Sequence, residues 1–310
     1  MALQETRRQH YVWREYLRSW CLNGKDVIWA TRGAKPFLDN IMNLAKDEYF
    51  YEIESIDKGK IRFIHDFWLK DNNVYLKYLN LRWVRMFSEL TDDGFIKALN
   101  INDADKTELS HYIKTNTIEK SLAELEKTWG EILRKLIEFD ASYFDEDNVI
   151  KTLFFLTMQY YRTKNIKERV LSAANKFELS DKEHFKFMIE STWPIAIFIL
   201  ANTLAYSIYE RDEHKLVFLE NKTNEYFVTS DLPVINIYNG IDIYNKTLGS
   251  EKLELYYPLT PHKAVLLSPE ACYASFSKIF IDETSVKIYN NAIKKQSCEL
   301  IFSHNEKELL

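Results

Sequence analysis

The sequence predicts an α+β fold, with a mostly helical body and a carboxyl-terminal antiparallel sheet. Glycine (7) and proline (6) are scarce among the 310 residues, which favours long helices with few breaks. Apolar residues recur at helical spacing through the first two-thirds of the chain. After Asp212, short segments rich in β-branched and aromatic residues alternate with turn signals, a pattern typical of strands.

The composition is that of a globular protein, because 46% of the residues are hydrophobic and 28% are charged. No internal repeat, low-complexity tract or linker divides the sequence. We therefore predict a single domain over residues 1–310, helix-rich in 1–212 and strand-rich in 213–310. The change of pattern near Asp212 is then a change of layer within that domain.

Helical periodicity predicts the elements of the first part. Residues 11–20 fit an extended segment followed by a short helix, and residues 27–30 fit a strand. Helices are predicted over residues 71–92, 117–139, 149–177 and 181–210. In the second of these, Thr117 is the expected cap of a helix with one apolar stripe, formed by Ile118, Leu122, Leu125, Trp129, Ile132, Leu133 and Leu136. Ser180 should cap the last helix and Pro194 should kink it.

Strands dominate the predictions for the last third. They are expected over residues 215–220, 225–229, 234–238, 253–257 and 263–267. Turn signals at residues 221–224 and at Asn239-Gly240 separate some of them. A helix over residues 285–296 and a last strand over residues 298–303 complete the predicted order.

Motif spacing excludes several familiar kinds of site. The glycines never fall at GxGxxG or GxxxxGK[ST] spacing, so nucleotide binding through those two motifs is excluded. HxxxH and HExxH zinc helices are absent, and no serine lies in GxSxG. The net charge of −5 gives no global attraction to nucleic acid, although the first 35 residues carry a modest surplus of arginine and lysine.

Cysteine usage and hydropathy indicate a cytoplasmic protein without a membrane partner. Cys21, Cys272 and Cys298 are far apart and form no CxxC pair, which favours reduced thiols over a disulfide framework. The stretch from Gln4 to His10 is polar, unlike a signal peptide. The longest apolar run, residues 193–201, is about half of what a bilayer span needs.

Four stretches resemble a bacterial family catalogued as domain of unknown function 4238. Residues 10–17, His-Tyr-Val-Trp-Arg-Glu-Tyr-Leu, resemble the family opening His-Tyr-Val-Pro-x-x-Tyr-Leu. The other stretches follow in the family's order, at residues 118–126, 159–163 (Gln-Tyr-Tyr-Arg-Thr), and 229–234 (Thr-Ser-Asp-Leu-Pro-Val) followed by 257–261. Trp13 stands where the family pattern has proline, and Leu232 where it typically has asparagine. The resemblance implies kinship and assigns no activity.

Two pairs of polar residues at helical spacing are the first candidates for chemistry. Glu119 and Glu126 are seven residues apart, so they share one helix face beside the apolar stripe. Gln159 and Arg162, three apart, share a face of the next helix. A carboxylate at the edge of a buried stripe needs a partner, and Arg162 is expected to pair with Glu119 or Glu126. Such a pairing can simply fix the register of two helices.

The functional interpretation adds residues from distant segments. If these segments converge, they form a pocket with an acid–base group, carboxylates and an anion clamp. The candidate catalytic residues are His10, Glu119, Glu126, Gln159, Arg162 and Asp231, and the candidate substrate-binding residues are Arg14 and Tyr16. This set suits phosphodiester hydrolysis, with the carboxylates holding a divalent metal or acting directly. Nucleic acid is the corresponding partner.

The leading hypothesis is therefore a nuclease-type effector, a toxin or a component of bacterial phage defence, the setting being suggested by the family resemblance. The alternative is a non-enzymatic binding or sensor module whose polar cluster is structural. His10 beside aromatic residues can be a packing residue. Asp231 lies in Thr-Ser-Asp-Leu-Pro, where it can equally form a turn.

Overall fold

The computed structural model describes residues 5–33, 35–174, 181–238 and 253–310, and the predicted α+β class is confirmed. The helices are α1 Arg14–Arg18, α2 Lys58–Phe63, α3 Val74–Leu90, α4 Asp93–Ala98, α5 Asp103–Glu138, α6 Glu146–Tyr161, α7 Lys164–Ala174, α8 Lys182–Arg211 and α9 Glu283–Gln296. The strands are β1 Arg8–His10, β2 Val27–Thr31, β3 Pro36–Asn40, β4 Lys46–Glu48, β5 Lys215–Asn221, β6 Thr229–Ser230, β7 Ile235–Asn236, β8 Leu255–Thr260, β9 Lys263–Ser268, β10 Lys278–Ile281 and β11 Ile301–Ser303.

Helix α5 begins well before the predicted start. Asn102 caps it by accepting a hydrogen bond from the backbone N–H of Asp105, so the prediction of Thr117 as the cap was wrong. Residues 103–116 are mostly polar, and a helical turn without an apolar stripe has no periodicity to detect. From Ile118 onward the predicted stripe is confirmed, because its members are buried apart from the half-buried Leu125.

The single helix predicted over residues 149–177 is two helices, α6 and α7. Arg162 ends α6 with backbone angles φ −73° and ψ 3°. The Thr163 hydroxyl then donates to the carbonyl of Tyr160 at 3.1 Å. No glycine or proline lies at this break, so the local sequence carries no signal for it. Residues 175–177 of the predicted helix lie outside the described residues.

Helix α8 forms the centre of the helical layer, in contact with α3, α6 and α7. It begins after Asp181, whose side chain accepts a hydrogen bond from the backbone N–H of His184 at 2.9 Å. The expected cap, Ser180, lies outside the described residues. Pro194 is within the helix, and the kink expected there stays a prediction. Among the described helices, α8 alone is long and apolar enough to cross a membrane. In its most apolar stretch of 18 residues, 61% is buried inside the protein, as in a core helix.

Two larger sheets and one two-stranded sheet are present among the described residues. The larger sheets have the strand orders β10-β5-β9-β8-β7 and β3-β2-β11-β6, and β1 pairs with β4. Strand β10 runs parallel to β5, whereas the other described pairings are antiparallel. The predicted antiparallel sheet is confirmed for β5, β9, β8 and β7, and β10, a strand not predicted from the sequence, joins it parallel to β5.

Strands are also not confined to the carboxyl-terminal third. Strand β2 lies beside β11, with Ala30 opposite Phe302, so distant parts of the sequence share one sheet. Such long-range pairing has no signature in local periodicity. The turn predicted at residues 221–224 is present, because Asn221 Oδ1 accepts a hydrogen bond from the backbone N–H of Thr223 at 2.9 Å. The turn predicted at Asn239-Gly240 lies outside the described residues, and the single-domain organisation stays a prediction.

Strand β1 and helix α1 are held against the helical layer, which positions the candidate site. Gln9, fully buried, donates to the carbonyl of Thr115 on α5 at 2.6 Å. Its side-chain oxygen accepts a hydrogen bond from the backbone N–H of Tyr51 at 2.7 Å. These two bonds fix the backbone next to His10 relative to α5. The carbonyl of His10 then accepts a hydrogen bond from Arg162 at the end of α6, whereas its imidazole bonds the backbone of Met42.

Candidate functional site

Arg162 lies at the centre of a cluster that joins β1, α5 and α6. Its guanidinium is only 2% exposed and donates to Glu126 Oε1 at 2.6 Å. It also donates to the Tyr51 hydroxyl at 3.1 Å and to the carbonyl of His10 at 3.2 Å. The predicted pairing of Arg162 with one of two glutamates is thus confirmed for Glu126.

Three groups on the protein therefore satisfy the Arg162 guanidinium. Burial favours its neutral form, but the Tyr51 hydroxyl and the Glu126 carboxylate outweigh burial, and the pKa of Arg162 is raised. A buried arginine held on three sides is a rigid support. We assign Arg162 a positioning role, because its hydrogen bonds with the protein leave little of it to clamp a substrate.

Glu119 lies seven residues before Glu126, on the same face of α5, and differs from it in its hydrogen bonding. Its Oε2 atom is buried and has no hydrogen-bond partner. Burial raises the pKa of Glu119 to about 7, with Arg162 opposing the rise and the neighbouring Glu126 adding to it. Near neutral pH this carboxyl is therefore partly protonated, the state required of a group that gives or takes a proton.

His10 ends β1 with a second unpartnered atom. Its Nε2 is buried and has no hydrogen-bond partner. Burial, followed by the positive charge of Arg14, lowers the pKa of His10 to about 4, although a hydrogen bond with the backbone of Met42 opposes the shift. The imidazole is therefore neutral at neutral pH, and one ring nitrogen can accept a proton.

Gln159 contributes two more unpartnered atoms. The residue is 1% exposed, and neither Oε1 nor Nε2 of its amide has a hydrogen-bond partner. It precedes Arg162 by three residues, so both side chains leave α6 on the same side. Leaving a buried amide unpaired costs on the order of 1–3 kcal/mol per group, which is unusual unless a water or a ligand occupies the space.

Arg14, a candidate substrate-binding residue, stands exposed at the start of α1. Its charge lowers the pKa of both His10 and Glu119, which places the guanidinium close to both groups. Among the described residues no hydrogen bond or ion pair of Arg14 is found. Arg14 is therefore the cation beside the cluster that is open to an anion.

Tyr16, the other candidate substrate-binding residue, is fully buried. Its hydroxyl shares a hydrogen bond with Thr229 Oγ1 at 2.6 Å and donates to the carbonyl of Pro258 at 2.7 Å. Its ring stacks on Tyr257 with the centroids 4.8 Å apart. These contacts favour a structural role, in which Tyr16 attaches α1 to the strands.

Asp231 is also buried, but its carboxylate is fully hydrogen-bonded. Oδ1 accepts from the backbone N–H of Cys298 at 2.9 Å, and Oδ2 from those of Glu299 and Leu300 at 2.6 and 2.9 Å. Within the described part of the chain, no hydrogen bond or ion pair connects Asp231 to Arg162. The geometry favours the structural interpretation, in which Asp231 fixes the loop before β11.

An open groove of about 760 Å³ runs between α1 and α5 beside this cluster. Of the candidate residues, Glu126 lines it. In residues 5–33, 35–174, 181–238 and 253–310, no three His, Cys, Asp or Glu side chains are grouped to hold a metal ion. The divalent metal left open by the sequence analysis thus gains no support from the described residues.

A family model covers nearly the whole chain. It is described as protein of unknown function DUF4238, and it matches residues 8–307. The chain belongs to this family. No curated protein and no solved structure matches it.

The two departures from the DUF4238 pattern suggested by the resemblance fit the fold without strain. Trp13, the cap residue of α1, has φ −64°, the value to which a proline ring would fix it. Its ring packs against Phe155 with the centroids 6.2 Å apart. Leu232 is fully buried, as an apolar side chain should be.

Tyr51 is a further member of the site in this DUF4238 protein, and it was not predicted from the sequence. Tyr51 is fully buried, and its hydroxyl accepts from Arg162 and lies 3.4 Å from the carbonyl of His10. Burial raises its pKa, so the hydroxyl stays protonated at neutral pH. No motif or spacing marks this residue, because its partners come from segments far away in the sequence.

Proposed function

We propose that this protein is a phosphodiester hydrolase in which Glu119 and His10 transfer protons. The observation that carries the proposal is the set of buried polar atoms without partners: His10 Nε2, Glu119 Oε2 and both amide atoms of Gln159. Eleven other buried polar atoms among the described residues also lack a partner, so the support comes from the grouping of these four atoms and from the space they leave for a ligand or water. Here they belong to three segments that surround one buried arginine.

The pKa values support a division of roles between the two groups. The pKa of His10 is lowered to about 4, so its imidazole is neutral and can act as a base. The pKa of Glu119 is raised to about 7, so a substantial fraction of its carboxyl groups hold a proton and can act as an acid. Arg14 and Arg162 act on both groups, and a pair of groups with pKa values moved apart is a common arrangement in acid–base catalysis.

The charge around the cluster supports an anionic substrate. Arg14, Lys46 and Arg162 all lower the pKa of His10, so positive potential surrounds this side chain. Arg14 is exposed, and a guanidinium binds phosphate oxygens in a fixed geometry. In this proposal Arg14 binds the phosphate, Gln159 orients it and Arg162 holds Glu126 and His10 in place. Nucleic acid is the proposed partner. The protein would then be a cytoplasmic nuclease that acts in phage defence or as a toxin.

The test is a cleavage assay on single- and double-stranded DNA and RNA with Mg²⁺, Mn²⁺ or EDTA. Glu119→Gln keeps the size of the side chain but cannot transfer a proton, and it should lower the rate by about 10²- to 10⁴-fold. Glu124→Gln is the matched control, because Glu124 is an exposed carboxylate on the same helix. It should leave the rate unchanged. Absence of cleavage under every condition, or equal rates for the two variants, contradicts the proposal.

The alternative is a non-enzymatic binding or sensor module, and one observation favours it. The buried Arg162 pairs with the partly exposed Glu126, and Asp231 is saturated by backbone amides, as in a structural network. In that case the unpartnered atoms contact a bound molecule that is not cleaved. Retention of a radiolabelled oligonucleotide without its hydrolysis would distinguish the binding module from the enzyme.

A further inference from the structure

A second cavity, of about 450 Å³, lies between the start of α6, the end of α8, the start of β5 and the end of β9. Thr152 and Leu153 of α6 line it. Gln159 lies about 9 Å farther along the same helix, since each residue advances an α-helix by about 1.5 Å. The cavity is therefore separate from the candidate catalytic cluster.

The lining of this cavity is largely apolar. Aromatic and aliphatic side chains provide most of it: Phe144, Val149, Leu153, Ile208, Tyr209, Leu216, Leu267 and Phe276. Ligand sites for small molecules have volumes of about 300–1,000 Å³ and combine apolar walls with a few polar groups. The cavity meets both conditions, because His214 adds a specific polar atom.

His214 is 8% exposed, and one of its ring nitrogens is already used. Nε2 lies 2.9 Å from the carbonyl of Leu253, which can only accept, so Nε2 carries the ring proton. Nδ1 is buried and has no hydrogen-bond partner. Burial lowers the pKa of His214, which keeps the ring neutral and leaves Nδ1 as an acceptor.

We propose that this cavity binds a small aromatic molecule that donates a hydrogen bond to His214 Nδ1. The free lone pair specifies a donor, and the apolar walls specify an aromatic body. Among the described lining residues, Glu210 and Asp212 are carboxylates and none is a lysine or arginine. The charges that act on His214 from outside this lining are Glu213 against Arg211 and Lys215, so carboxylates still outnumber cations and favour an amine on the ligand over a carboxylate.

Four probes of similar size test this chemistry by titration calorimetry with the full chain. Indole has an N–H donor, and benzofuran has nearly the same shape without it. Tryptamine and indole-3-propionate add opposite charges to the indole ring. We expect indole to bind about five- to tenfold more tightly than benzofuran, and tryptamine more tightly than indole-3-propionate. Equal binding of indole and benzofuran, or no binding of any probe at about 1 mM, overturns the proposal.

Two variants locate the binding. His214→Phe keeps an aromatic ring but removes the acceptor, so it should abolish the preference for indole over benzofuran. Leu153→Trp fills the cavity and should abolish binding of all four probes, which covers the case in which His214→Phe disturbs the fold. His65→Gln, an exposed histidine outside the cavity lining, is the control and should bind like the parent. Binding that survives Leu153→Trp overturns the proposal.

A nitrogen-15 histidine spectrum gives a readout that is independent of affinity. Before ligand is added, His214 should show a protonated Nε2 and an unprotonated Nδ1. Indole should shift the Nδ1 resonance, because the lone pair then accepts a hydrogen bond, whereas benzofuran should not. An Nδ1 that is protonated in the free protein overturns the proposal.

Discussion

Asp231 and Glu119 are both buried carboxylates, yet only Asp231 is fully hydrogen-bonded. Three backbone amides bind the two oxygens of Asp231, whereas Glu119 Oε2 has no partner. Burial raises the pKa of both groups. Burial alone therefore does not separate a structural carboxylate from a reactive one. The difference lies in whether the protein itself satisfies the oxygens.

The same contrast separates the two arginines of the site. Arg162 is buried and bound on three sides by Glu126, Tyr51 and His10. Arg14 is exposed and electrostatically close to His10 and Glu119. We infer that the satisfied groups hold the fold and the unsatisfied groups meet the substrate.

Removal of Arg162 should have the largest effect on stability. Arg162→Leu leaves Glu126, the Tyr51 hydroxyl and the His10 carbonyl without their donor, and because Glu126 is partly exposed we expect a loss of about 3 kcal/mol, the lower end of the range for a fully buried pair. Urea denaturation measures the change in the free energy of unfolding. Arg134→Leu is the control, because its ion pair with Glu138 is exposed and should contribute less than about 1 kcal/mol. Equal losses in the two variants would show that Arg162 is not a structural centre.

Asp231→Ala should be about as costly as the loss of Arg162. It leaves the backbone N–H groups of Cys298, Glu299 and Leu300 without their acceptor, which costs roughly 3 kcal/mol or more. Thermal unfolding measures this loss, and Asp231→Asn should recover part of it. A variant that keeps its melting temperature but loses phosphodiesterase activity would instead assign Asp231 a catalytic role.

Glu119→Gln should change how stability depends on pH. The pKa of Glu119 is raised to about 7, so between about pH 4.5 and 7 the folded protein holds a proton that the unfolded chain releases. This contribution is fully present below pH 4.5 and is lost as the pH rises through 7. In denaturation experiments the parent should lose on the order of 2 kcal/mol of unfolding free energy between pH 4.5 and pH 8. The Glu119→Gln variant should not show this loss. If the unfolding free energy of Glu119→Gln fell between the two pH values as much as that of the parent, the raised pKa of Glu119 would be contradicted.

His10→Gln should remove a pH dependence of stability that has the opposite sign. The pKa of His10 is lowered to about 4, so between about pH 4 and 6.5 the unfolded chain binds a proton that the folded protein does not. The stability of the parent therefore falls as the pH falls through this window. His10→Gln should flatten that fall, measured by urea denaturation at pH 7 and 5. His65→Gln, at an exposed histidine, should leave it in place.

The sequence predicted the parts of this site that depend on helical spacing. Arg162 could be paired in advance with Glu119 or Glu126, because each lies on a face defined by its own helix, but spacing alone did not select Glu126. Tyr51 could not be found, since its contacts with Arg162 and His10 join segments about 110 and 41 residues away in the chain. The saturated state of Asp231 was also hidden, because its partners are backbone amides, which every residue except proline carries.

Fold prediction followed the same division between local and long-range information. The apolar stripe of α5 gave its buried face, whereas the polar first turns and the cap at Asn102 gave no periodic signal. The break between α6 and α7 arises at Arg162, where tertiary contacts replace the usual breakers glycine and proline. The pairing of β2 with β11 depends on the whole chain folding back on itself.

Arg14→Gln should have the smallest effect on stability and a specific effect on its neighbours. Arg14 is exposed and no ion pair of it is found among the described residues, so its replacement should change the free energy of unfolding by less than about 0.5 kcal/mol. Its positive charge lowers the pKa of His10 and Glu119, and removing it should raise both values, as measured by NMR titration. Arg18→Gln is the matched control on the same helix, because its charge is paired with Glu15 and Asp26. If Arg18→Gln moved both pKa values as far as Arg14→Gln does, Arg14 would not be the open cation of this site.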